Sequence, residues 1–136
     1  IADERLFDAH IYKPENVIER ITSVRNNARI RKSFNLEETT TVKIYALGEG
    51  LYGSMHDFAW IERGDDKRLI WEMNYRNTTE AGGAVMNRVY TGSIMLSPGK
   101  YFLYYSSNQD HSYQDWIASP PGDPEAYGIT LFRVLQ

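Results

Sequence analysis

Thr41-Val42-Lys43-Ile44-Tyr45-Ala46-Leu47 is the stretch that decides the fold. Val42, Ile44 and Ala46 alternate with Thr41, Lys43 and Tyr45. A period of two turns one face of an extended chain inward and the other to solvent, so the segment is a half-buried β-strand. Gly48-Glu49-Gly50 is expected to end it. Residues 57–63 repeat the alternation, with Phe58 and Trp60 on one face and Ala59 and Ile61 on the other. Gly64-Asp65-Asp66 has turn composition, so this strand pairs as a hairpin with residues 68–75, where Leu69, Trp71, Met73 and Tyr75 share a face.

Outward from there the chain keeps to strands. Residues 18–24 and 28–34 flank Asn26-Asn27, two residues that tolerate the positive φ of a tight hairpin. Residues 89–96 and 101–106 flank Ser97-Pro98-Gly99-Lys100, whose Pro-Gly pair suits a type II turn. Residues 127–135 close the chain as a last strand. The best helical candidate is residues 1–9, where Leu6 and Phe7 are apolar among charges. The expectation is an all-β, antiparallel sandwich of about seven to eight short strands, in a single domain spanning 1–136 with 1–17 as a loosely attached N-terminal segment.

Composition narrows the function classes. The net charge of −3 is spread along the chain, which speaks against a nucleic-acid partner or an anionic-membrane surface. With no cysteine there is no disulfide, thiolate metal site or cysteine nucleophile. No apolar run approaches the ~20 residues that a membrane helix needs, so membrane insertion is not expected. The chain opens on Ile1 rather than Met, as a processed protein or an excised segment would.

The order Phe34-x-Leu36, then Val42-Lys43-Ile44, then an Asp57-bearing strand, then Ser93-Ile94-x-Leu96-x-Pro98-Gly99-Lys100-Tyr101 resembles the bacterial pre-peptidase C-terminal domains. Leu96-Ser97-Pro98-Gly99-Lys100-Tyr101 matches their L-x-x-G-x-Y hairpin, and the resemblance runs from Phe34 to the final strand. It implies a jelly-roll-like sandwich, a secreted or periplasmic location, and a mostly non-catalytic appendage to a larger polypeptide or assembly, with calcium or carbohydrate roles in some members. Trp71-Glu72-Met73, Gly82-Gly83-Ala84 and residues 110–116 depart from that family's signature.

Two constellations can carry chemistry. Asp110-His111-Ser112-Tyr113-Gln114-Asp115-Trp116 gathers acids, a histidine and a tryptophan into one long polar loop. Asp110, Ser112 and Asp115 offer oxygen ligands to calcium, the one cofactor in view, or else cap turns through backbone amides. Trp116 either anchors the loop in the core or offers a ring face to a sugar. Trp60 and Trp71, on strands with apolar partners, are assigned to the core.

The second constellation is Glu72, Arg76, Asn87 and Arg88. Glu72 and Arg76, four apart on one strand, share a face and act as cross-strand stabilisers or line a polar cleft over which Glu49 closes. Gly82-Gly83 lacks the Lys-Ser/Thr and the strand-to-helix context of a phosphate loop. Three readings follow: a module binding a glycan or peptide through residues 110–116, a structural or assembly module, and a glycoside-type hydrolase using Glu72 and Asp110 as paired carboxylates.

Overall fold

The computed structural model describes residues 12–134, and over them the chain is an antiparallel β-sandwich. One layer orders β1 (Val17–Ile21), β11 (Gly128–Arg133), β3 (Thr40–Leu51), β7 (Asn87–Leu96) and β6 (Thr79–Glu80) side by side. The other orders β2 (Arg29–Leu36), β8 (Gly99–Ser106), β4 (Ser54–Arg63) and β5 (Leu69–Glu72). A short ribbon, β9 (His111–Ser112) with β10 (Asp115–Trp116), lies in the loop between β8 and β11. The candidate helix at residues 1–9 lies outside the described residues.

The alternation in β3 does what its period requires. Val42, Ile44 and Ala46 have no exposed surface, while Thr41, Lys43 and Tyr45 are half-buried on the outer face. Across the interior they meet Ala59 and Ile61 of β4 and Leu103 and Tyr105 of β8, while Ile129 and Leu131 of β11 flank them in the same layer, all essentially buried. Burying each of the larger aliphatic side chains contributes about 1.5–3 kcal/mol.

Gly48 and Gly50 do not end β3; it runs through them to Leu51. An added Cβ on Gly48 would stand 2.2 Å from the Asp57 carbonyl oxygen, and one on Gly50 2.8 Å from that of Ser54. These glycines mark where β4 crosses close. Beyond them Leu51 pairs with Ser54 around Tyr52-Gly53, both at positive φ (53° and 82°) as a two-residue hairpin of primed type demands. β3 therefore belongs to the first layer along most of its length and hands over to β4 of the second.

The expected hairpin at Gly64–Asp66 is present, with Ile61 opposite Trp71. Three other readings are corrected. β1 and β2 do not pair around Asn26-Asn27: β1 takes β11 and β2 takes β8, because the Ser23 and Val24 amides donate to the carbonyls of Glu125 and Tyr127 and steer the chain between layers. The Ser97-Pro98 link likewise joins β7 and β8 of different layers and closes no hairpin. β5 stops at Glu72, since Asn74 and Asn77 accept each other's backbone N–H at 2.9 Å and close a turn. Glu72 and Arg76 thus do not share a strand.

Candidate functional site

Asn87, Glu49 and Asp57 are register partners on β7, β3 and β4, so their side chains form one row across three strands. All three are buried. Asp57 accepts the Asn108 backbone N–H at 2.8 Å and the Tyr127 hydroxyl at 2.5 Å. Asn87 donates to the carbonyls of Gly82 (2.8 Å) and Ser119 (2.9 Å), which leaves its Oδ1 facing His111 Nε2 at 2.6 Å. That orientation assigns the ring proton to Nε2, and burial lowers the pKa of His111, so the imidazole is neutral.

Trp116 closes the arrangement. Its ring meets His111 and Tyr127 edge-on, both at 4.9 Å between centroids. Ser112 and Asp115 bond to Asn26, Gln114 bonds to Arg25, and the Tyr113 amide donates to the Val24 carbonyl. Residues 107–122 are thereby fastened to the polar row and to the β1–β2 link.

Of the eight expected ligand-binding residues, the structure brings together Asn87, His111 and Trp116, with Asp110 and Asp115 exposed on the loop rim. Arg88 is buried elsewhere: it donates to the Thr78 hydroxyl and carbonyl (3.0 and 2.6 Å) and stacks 3.9 Å over Tyr75, locking the turn before β6. Glu72 stands exposed beside Trp60 on the other layer, and Arg76 is exposed in the turn. The carboxylates of Glu72 and Asp110 therefore belong to different regions. Among the described residues no three His, Asp or Glu side chains are grouped to hold a metal ion.

Burial, then the neighbouring Asp57 and Asp110, pushes the Glu49 carboxyl up to about 7. Burial pushes Asp57 up to about 6 against the opposing pull of its two donors. Glu49 Oε1 is buried without a hydrogen-bond partner, and His56 Nδ1 stands 4.0 Å from it. Both folded-state values exceed those of free carboxyls, so the fold binds more protons than the unfolded chain between pH ~4 and 7. Stability is complete below that window and falls as pH rises through it. Glu49→Gln removes the ionisation while keeping the shape; it is expected to stabilise the protein at pH 8 by about 2 kcal/mol and to do little at pH 4.5, read from urea midpoints at the two pH values.

The outer face of the second layer has a different chemistry. Register aligns Glu72 (β5), Trp60 (β4), Tyr104 (β8) and Arg31 (β2) in one row across four strands. The Trp60 and Tyr104 rings stack at 4.9 Å and 4°. Phe58 joins Trp60 at 5.5 Å and Phe102 joins Tyr104 at 6.3 Å, so four half-buried rings form a continuous surface. Glu62 accepts from the Trp60 indole N–H at 3.2 Å and fixes that ring.

No family model matches the chain, and no curated protein does. Trp60 corrects the expectation that it lies in the core: Ala59 and Ile61 face inward, because Tyr105 fills the interior opposite Ala59. Trp71 does lie in the core, 9% exposed. The signal for the aromatic face was present in Phe58 and Trp60 sharing one side and in Phe102 and Tyr104 standing two apart.

Proposed function

We propose that this chain is a non-catalytic binding module that recognises a glycan on the aromatic outer face of the second layer. The carrying observation is the Trp60–Tyr104 stack, held half-exposed on a packed sheet beside a shallow depression of about 280 Å³ lined by Arg29, Ile30 and Arg31. Rings fixed in this way offer an apolar surface to the C–H groups of a sugar at no cost in side-chain ordering, and Arg31 and Glu72 at either end of the row supply hydrogen bonds for hydroxyls. Residues 110–116 are instead tied to the body of the fold by His111, Ser112 and Trp116. A secreted or periplasmic location, attachment to a larger polypeptide, and kinship with the pre-peptidase C-terminal domains form part of the same proposal.

Isothermal titration against xylan, β-glucan, chitin and pectin oligosaccharides tests it. Trp60→Ala is expected to weaken binding at least ten-fold, about 1.4 kcal/mol, while Asp110→Ala on the loop rim leaves it unchanged. The opposite pattern moves the site to residues 110–116, and binding of peptides but no glycan rejects the ligand class.

A further inference from the structure

Three cations from three separate elements converge on one ring. The Arg31 guanidinium of β2 lies 4.7 Å from the Phe102 centroid, Lys67 of the β4–β5 turn 4.2 Å, and Lys100 at the start of β8 5.1 Å. A ring face attracts each cation, yet three like charges around one phenyl repel one another and stay together at a cost. Among the described residues none of the three has a carboxylate within ion-pair distance. The nearby acids are committed elsewhere. Glu62, directly opposite Phe102, turns to the Trp60 indole. Asp65 faces Arg63 at 3.6 Å, and Asp66 accepts the Arg68 amide at 3.0 Å. Glu72 stands at the far end of the Trp60–Tyr104 row.

An anion entering between Arg31, Lys67 and Lys100 relieves that repulsion and gains charge-assisted hydrogen bonds. Phe102 adjoins Tyr104, so the cation cluster continues directly from the ring surface. We infer, resting on the glycan reading above, that this module selects acidic polysaccharides, with the carboxylate of a uronate residue seated at Phe102 while a neighbouring sugar covers the Trp60–Tyr104 stack. The sugar commitment follows from the ring surface beside the cluster. The cations alone would take any anion, whereas the Trp60–Tyr104 stack and Phe102 beside them offer ring faces that fit the apolar C–H faces of sugars and that a polyphosphate cannot use.

The test uses polygalacturonate and its fully methyl-esterified form, which keeps the sugar and removes the charge. Affinity electrophoresis and titration calorimetry are run on the full chain and on the triple variant Arg31→Gln, Lys67→Gln, Lys100→Gln, with thermal melts to establish that the variant folds. The unsubstituted protein is expected to prefer the acid form by about ten-fold or more, a preference that weakens with salt, and the triple variant is expected to lose it. Equal affinity for the two forms overturns the inference and leaves glycan binding standing. Binding of neither form, nor of any neutral glycan, overturns both. Dextran sulfate, polyglutamate and single-stranded DNA are the remaining arms: binding them as well as polygalacturonate, with no effect of Trp60→Ala, marks simple ion exchange and also overturns it.

Discussion

Asp57→Ala is expected to destabilise the protein by about 3 kcal/mol and to release residues 107–122 to proteolysis. The carboxyl is fully buried and accepts two donors, the Asn108 N–H and the Tyr127 O–H. Truncation strands both in the interior, at about 1–3 kcal/mol each. Against this stands the cost of holding a carboxyl out of water, which already raises its pKa to about 6. At pH 5 the group is mostly neutral and that cost is small, so the lost hydrogen bonds dominate. At pH 8 the wild type bears the desolvation cost and the gap narrows. Asp57→Asn keeps one acceptor for Asn108 and is expected to lose about half as much. Urea unfolding at pH 5 and pH 8 checks both; an Asp57→Ala protein as stable as wild type at pH 5 would show that the polar row does not hold the loop.

Gly128→Ala is expected to cost about 3–5 kcal/mol and to prevent β1 from docking. Gly128 opens β11 at φ +135°, and an added Cβ would stand 1.9 Å from the Ile21 carbonyl oxygen and 3.0 Å from a Val24 methyl. Backbone strain of about 1–3 kcal/mol and the displacement of a paired strand act together. The Ile21–Ile129 pairing sits beside this contact, so relief means opening that end of the ladder. Gly53→Ala separates the two contributions. It carries φ +82° at the exposed β3–β4 turn with nothing within 4 Å of an added Cβ, and is expected to lose only about 1 kcal/mol. Melting temperatures of the two variants, with circular dichroism for strand content, decide the matter; similar losses would show that sterics at Ile21 contribute nothing.

What could be read from the residues was whatever depends on near neighbours. The inward row Val42, Ile44, Ala46 follows from period two, and the Gly64–Asp66 hairpin from turn chemistry. Strand partners were another matter. Asn26-Asn27 has hairpin composition, and Asn27 does take φ 55°, yet the Ser23 and Val24 amides before it bond to residues more than a hundred positions away. Alternation also says which residues share a face without saying which face is inside. The apolar partners on its strand favoured Trp60 as core, and only the place of Tyr105 in the fold shows why Ala59 must be. The polar row was hidden for the same reason. Glu49 between two glycines has the composition of a turn, but those glycines serve the close crossing of β4, and Asn87 and Asp57 meet it only through register.

β1 and β11 lie antiparallel with Val17 opposite Phe132, so the chain enters one strand and leaves the other at the same end of the ladder. Tension applied between these two ends would open its hydrogen bonds singly, like a zip, rather than shear them all at once, so the ladder yields at low force when pulled in that direction.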